Sequence, residues 1–287
     1  MSDVHLPRHL KDVWPLLLND PRAAVYAGGT DLLAKVRSAD ARPRSLVCLE
    51  RVEELKGVRD DGEEVYIGAG TALEHVLHNP IIEKQFPVLV QAIRVLASPA
   101  VRHMGTIGGN IVTASPAGDT LPPLHVLDAD VVVRSAKETR RASLASFIRG
   151  PGKVDLGSGE ILAAVVVKKT AGFNIHHYEK VGKRKAQACA VASMAAIVDV
   201  SEDRVIRRAR FAWGSVGPTV IVVPEVERAV LGRTLSMETL REAACIAESA
   251  VSPIDDLRAS ASYRRRLAGA LLLRLCALQA NNPSQEH

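Results

Sequence analysis

The stretch Thr106-Ile107-Gly108-Gly109-Asn110-Ile111-Val112-Thr113-Ala114-Ser115-Pro116-Ala117-Gly118-Asp119 gathers glycines, small hydroxyl residues, one amide and one carboxylate, with no aromatic or long charged side chain among them. Such a composition lets a backbone come close to a large polar ligand. Paired glycines lack Cβ and reach positive φ, so successive N–H groups can converge on an oxyanion such as a phosphate. Thr106, Asn110, Thr113 and Ser115 add donors and acceptors at short spacing, and Asp119 can accept from a sugar hydroxyl or orient a ring N–H. Taken alone, the segment reads equally well as a Gly/Ser/Pro surface loop with ordinary turn chemistry.

A second cluster separates the two readings. Val25-Tyr26-Ala27-Gly28-Gly29-Thr30-Asp31-Leu32-Leu33 is a short β-like run, a glycine pair and then an apolar segment with helical character. A strand, a glycine turn and a helix start leave the first helical N–H groups free to hold a diphosphate. Each motif is weak singly, and Gly28-Gly29 by itself is an ordinary strand-to-helix turn. The two in this order, about 80 residues apart, are far more specific.

Together these motifs resemble those of the FAD-binding medium subunits of molybdenum hydroxylases, the family of xanthine dehydrogenase and carbon monoxide dehydrogenase. The residues that carry the resemblance are Ala27-Gly28-Gly29-Thr30-Asp31-Leu32 and Thr106-Ile107-Gly108-Gly109-Asn110, continued through Ala114-Ser115-Pro116 and Asp119. It extends from about residue 8 to about residue 278. The implied fold is α+β, a two-part FAD-binding α/β region followed by a C-terminal antiparallel sheet with a helical bundle.

The resemblance also implies roles, one residue at a time. Tyr26, Ala27, Gly28, Gly29, Thr30, Asp31 and Leu32 would wrap the FAD diphosphate, the glycines and Thr30 donating from the backbone. Thr106, Gly109, Asn110 and Thr113 would line the second loop, and Asp119 would meet the ribityl chain or the polar part of the flavin. Leu96 and Leu162 would pack near the isoalloxazine, and Lys180 would lie near it. A cation there stabilises negative charge on reduced flavin and raises its potential. The plainer reading makes Leu96 and Leu162 core residues and Lys180 a solvated strand end. Lys183-Arg184-Lys185-Ala186-Gln187-Ala188-Cys189 departs from relatives that carry an acidic residue or tyrosine near Ala188, which leaves acceptor access to the flavin open.

By the same resemblance the chain holds no catalytic residue and no metal ligand. Molybdopterin and 2Fe–2S clusters are expected only in partners, a molybdopterin-binding large subunit and an iron–sulfur small subunit. Electrons would leave through FAD to NAD or another acceptor. Two alternatives remain: a stand-alone FAD-dependent oxidoreductase, and a flavin-free assembly module of the same fold.

Composition agrees with a globular protein. The 287 residues are 47% hydrophobic, enough to bury a sizeable core in two or three subdomains. No apolar run approaches the ~18 residues a bilayer span needs, and the first residues lack a signal-peptide core, so cytoplasmic residence is the expectation. The net charge of +5 permits nucleic-acid binding, but 3% aromatic content offers few stacking platforms and the basic residues are interspersed with acidic ones. A solvated helix face or a subunit contact is the expected use of Arg264-Arg265-Arg266. Cys48, Cys189, Cys245 and Cys276 lie far apart with no C-x-x-C pair, which argues against metal ligation and disulfides. His75 and His78 sit three apart on an expected helix, with Glu74 placed towards solvent, and no ligand set completes a site.

Three parts emerge along the chain: 1–57, 58–170 and 171–287. Residues 8–18 have helical spacing, followed by strands at 25–27 and 45–49. The middle part reads as strands at 65–68, 129–134 and 161–167, helices near 73–77 and 88–96, and the second glycine loop. Gly68-Ala69-Gly70 lacks the third glycine of a dinucleotide fingerprint and reads as a turn out of a strand. The last part reads as strands at 175–180, 191–200 and 205–213, then a helix over 237–249 capped by Ser236 and a final helix carrying Leu267, Leu271, Leu275 and Leu278. The tail 281–287 is expected to be disordered.

Overall fold

The computed structural model describes residues 3–38, 41–169, 171–184 and 187–280, with backbone alone for the last three. The chain is a mixture of helices and mostly antiparallel sheets and divides into two compact units. The first comprises the chain up to Phe86 with Leu96–Ser115 and Leu127–Lys169. The second comprises Pro87–Val95, Pro116–Val126 and the chain beyond Lys169. The expected disorder of 281–287 lies outside the described residues.

Among the described residues the first unit holds two larger sheets and the two-stranded pair Ile148–Gly150 and Lys153–Val154. Strands Asp3–His5 and Ala24–Tyr26 both pair in parallel with the central Ser45–Cys48, whose four residues are all buried. Helix Leu10–Asn19 packs Leu10, Val13 and Leu17 into the same core as Val47, Leu49, Val52 and Leu55. This 3–4 spacing of apolar residues makes the segment a helix despite Pro15 within it. A five-stranded antiparallel sheet follows, built on Val58–Asp60, Glu64–Gly68, Ile161–Lys168, Asp130–Arg134 and Thr139–Ser143 in that spatial order. Glu64–Gly68 and Asp130–Arg134 alternate between buried and partly buried residues, the period-2 signature of a half-covered sheet. In Ile161–Lys168, at the centre, six of eight residues are buried.

The second unit is built on a three-stranded antiparallel sheet, Ile175–Val181, Ala192–Val200 and Ile206–Gly214. All nine residues of the middle strand are buried. Helices Met237–Ala250 and Ala261–Ala280 pack on this sheet, burying Leu240, Ala243, Ala247, Leu271 and Leu275 with Met194, Phe211 and Trp213. Ser236 caps the first of these helices by accepting from the Thr239 N–H at 3.2 Å.

Two expectations need correction. The arginine triplet is not a wholly solvated face. Arg264 is 3% exposed and donates to the carbonyls of Val191 and Ser215 and to Asp256, so its guanidinium ties the last helix to the start of the central strand Ala192–Val200 and the end of the edge strand Ile206–Gly214. The second glycine loop is a helix, Ile107–Thr113, capped by Thr106 and closed by Ala114 in the left-handed region at φ 44°. Packing outweighs the low helix propensity of its glycines.

Candidate functional site

The first unit contains a cleft of about 580 Å³. Its walls bring together Tyr26, Ala27, Gly28, Gly29, Thr30, Asp31, Leu32, Leu96, Thr106, Gly109, Asn110, Thr113 and Leu162, all thirteen of the expected site residues that belong to that unit. Segments more than 130 residues apart in the sequence therefore face one space. The volume lies within the range of ligand sites, roughly 300–1,000 Å³.

The floor of the cleft is the turn between strand Ala24–Tyr26 and helix Leu32–Arg37. Gly29 sits at φ +68°, a conformation costly for other residues. At Gly28 the constraint is space, because a Cβ there would be built into the backbone carbonyl of Met104. The turn lies flat against the end of helix Pro99–Met104, and its own N–H groups are left over. Among the described residues, the backbone N–H groups of Gly28, Gly29, Thr30 and Asp31 donate to no acceptor in the chain. Consecutive unused donors beside a helix start have the chemistry to hold an anion.

The second glycine pair works differently from expectation. The N–H groups of Ile107, Gly108, Gly109 and Asn110 donate to Thr71 O, Ala69 O, Thr106 Oγ1 and Thr106 O, at 3.1, 2.9, 3.0 and 3.0 Å. None is spare for an oxyanion. Gly108 is there for close approach, since a Cβ would lie 2.5 Å from the Ala69 Cβ. Gly109 is exposed on the cleft side, and a Cβ there would meet only Thr106 Oγ1, at 3.0 Å. The two glycine pairs thus divide the labour, one offering donors and the other removing bulk.

Sequence reasoning missed several walls of the cleft: Val101, Gly105, Val112, Gly152, Leu156, Glu160 and Ile161. The Ser98-Pro99 pair was a legible helix start, with Ser98 Oγ accepting from the Val101 N–H at 3.3 Å. Nothing periodic marks 152–160. Glu74 also departs from expectation, being 13% exposed at its side chain and bonded to Arg102 Nε at 2.7 Å. Arg102 in turn donates to the Leu96 carbonyl at 3.0 Å, beside Ala97 at φ 47°. A buried ion pair therefore fixes the turn that presents Leu96. The Arg102 guanidinium holds the Glu74 carboxyl below the usual range.

Comparison with known proteins shows the family. Residues 1–168 match the FAD binding domain in molybdopterin dehydrogenase, and residues 177–278 match the CO dehydrogenase flavoprotein C-terminal domain. The chain belongs to the FAD-binding family of molybdopterin dehydrogenases. Within the family it is 30% identical to the carbon monoxide dehydrogenase medium chain of Hydrogenophaga pseudoflava, over 95% of this chain and 94% of that one. It is 29% identical to the nicotinate dehydrogenase FAD-subunit of Eubacterium barkeri, over 90% and 89%. Among solved structures, quinoline 2-oxidoreductase from Pseudomonas putida 86 superposes with a TM-score of 0.92 at 26% identity, over 98% of each chain. The carbon monoxide dehydrogenase of Hydrogenophaga pseudoflava superposes with a TM-score of 0.91 at 29% identity, over 97% of each.

Asp119 and Lys180, the two remaining residues expected from the family, lie in the second unit. Lys180 Nζ donates to Asp119 Oδ2 at 2.7 Å and to the Val95 carbonyl at 2.8 Å, and the Tyr178 hydroxyl donates to Asp119 Oδ1 at 2.8 Å. With side chains 8% and 9% exposed, the pair is no solvated strand end. Burial pushes the Asp119 carboxyl upward, while Lys180 and Tyr178 pull it back. Burial and the Asp119 charge together raise the Tyr178 hydroxyl well above its ordinary value. Among the described residues no group of three or more His, Cys, Asp or Glu side chains could hold a metal ion, and no helix is long and apolar enough to cross a membrane.

Proposed function

We propose that this chain is the FAD-carrying medium subunit of a multi-subunit molybdenum hydroxylase. Its role is to relay electrons from 2Fe–2S clusters of a small subunit to NAD or another acceptor, with FAD supplying the redox chemistry when bound. Molybdopterin and substrate oxidation would belong to a large subunit. The observation that carries the reading is the row of unused N–H donors at Gly28–Asp31 on the wall of a cleft of about 580 Å³.

In this reading the N–H groups of Gly28, Gly29, Thr30 and Asp31 bind the diphosphate. Thr106, Asn110 and Thr113 offer side-chain bonds along the cofactor, and Gly109 leaves room for it. Leu96 and Leu162 exclude water from the ring. The family resemblance adds Asp119 and Lys180 to the proposed flavin set. Residues 1–57 and 58–170 would form the two cofactor-binding subdomains, and 171–287 the C-terminal sheet-plus-helices domain.

Purification from a host that also expresses the partner genes tests the reading. One FAD per chain and copurification of a molybdopterin subunit and an iron–sulfur subunit are expected. Folded, colourless protein that takes up no added FAD would overturn it. A single yellow polypeptide that turns over a small substrate alone would support a stand-alone oxidoreductase instead.

A further inference from the structure

We propose that Arg140, which does not line the cleft, is a positioning residue that holds the 155–160 loop as one of its walls. The inference rests on the reading that FAD occupies the cleft. Gly152, Leu156 and Glu160 all line that space, yet the segment carrying them is short of structure of its own. After the two-residue strand Lys153–Val154 the chain runs Asp155-Leu156-Gly157-Ser158-Gly159-Glu160 with no helix or strand, and Gly159 stands at φ +77°. Two glycines in six residues give such a loop many conformations to lose on ordering.

Arg140 supplies what the loop lacks. It projects from strand Thr139–Ser143, where it pairs with Val133. Its Nε and Nη2 each reach a Glu160 carboxylate oxygen at 2.8 Å, in the planar two-pronged geometry only a guanidinium offers. Its Nη1 and Nη2 also donate to Asp155, at the side chain (3.1 Å) and the carbonyl (2.5 Å). One side chain therefore reaches both ends of the loop, holding Glu160 by two bonds and sharing Asp155 with Arg149, whose Nη2 donates to the other carboxylate oxygen at 3.1 Å.

Glu160 completes the knot by accepting from the Gly157 N–H at 2.7 Å. Its carboxylate is consequently spent on tethering. Arg140 and the Gly157 N–H hold that carboxyl below the usual range, in keeping with a permanently charged tether. Leu156, between the two gripped ends, is thereby kept over the cleft.

The test uses the full chain with four variants: Arg140→Ala, Arg140→Lys, Glu160→Gln and Asp155→Asn. Arg140→Ala is expected to raise the FAD Kd and dissociation rate about ten- to a hundredfold, the loss of one bidentate charge-assisted contact. Hydrogen exchange of amides 156–160 in the apoprotein should accelerate, while amides 107–113 keep their protection. Arg140→Lys should recover only part of both effects, because an ammonium cannot span two ends. Glu160→Gln and Asp155→Asn should each give a smaller shift, and they carry the test should Arg140→Ala fail to fold. Wild-type affinity together with wild-type exchange at 156–160 in Arg140→Ala, or in both carboxylate variants, overturns the inference. Wild-type protein that binds no FAD overturns the functional reading instead.

Discussion

Replacing Gly28 by alanine is the smallest change that tests this row of donors. The added Cβ would occupy the position of the Met104 carbonyl, and backbone cannot swing aside as a flexible side chain can. Forcing an extra carbon into such a contact typically costs about 1–3 kcal/mol of stability. The strain is relieved by lifting the 28–31 turn away from helix Pro99–Met104, and that movement turns its N–H groups out of register. A hydrogen bond to a charged group contributes roughly 1.5–3 kcal/mol. Misaligning two of the four donors thus removes about 3–6 kcal/mol of binding, or about two to four decades in Kd at ~1.4 kcal/mol per decade. Titration of apoprotein with FAD, followed by flavin fluorescence and paired with thermal unfolding, measures both effects. Gly150→Ala is the matched control, because a Cβ there meets nothing within 4 Å. Wild-type affinity and an unshifted midpoint in Gly28→Ala would refute the reasoning.

Other substitutions separate binding from folding. Gly109→Trp places an indole on the cleft side of an exposed position and should abolish FAD uptake while the apoprotein unfolds at nearly its wild-type temperature; calorimetry and flavin content decide it. Arg102→Met strands the Glu74 carboxylate and frees the Leu96 carbonyl, and should cost about 3–5 kcal/mol in urea unfolding. The pH dependence of the same pair has a fixed sign. Arg102 depresses the folded-state pKa of Glu74, so its contribution is complete above the ordinary value of about 4.3 and is lost as pH falls through the lower folded value. Urea midpoints recorded from neutral to acidic pH should therefore fall more steeply for the wild type than for Glu74→Gln, and parallel curves would rule this out.

Much of this architecture was legible before any coordinates. The strand at Glu64–Gly68 and the helix at Leu73–Leu77 follow directly from period-2 and period-3.6 patterns, and Ser236 announced the helix it caps. The family motifs were legible only as a set, because Gly28-Gly29 and Gly108-Gly109 are each ordinary turn residues alone and gain specificity from their order and spacing. Their separate tasks were not legible. Whether a glycine frees an N–H or merely makes room depends on which neighbour, Met104 or Ala69, comes to lie beside it. Long-range ion pairs were invisible for the same reason. Nothing in the order of residues links Glu74 to Arg102, or Arg140 to Glu160, until the sheet and helices bring them within 3 Å. Arg264 looked like part of a charged surface run because only packing decides which of three adjacent arginines points inward.

The unused donors of the Gly28–Asp31 turn have a cost before any cofactor arrives. Backbone groups without a partner in the chain must be satisfied by water, so this segment is expected to open more readily than its surroundings before the cofactor binds. Anything that binds only the closed form adds its binding free energy to the stability of that form. If FAD occupies this turn as proposed, the lifetime of the polypeptide in a cell should follow flavin supply: a flavin-depleted cell should degrade this chain first at its N-terminal third, and restoring flavin should restore its abundance with no change in its synthesis.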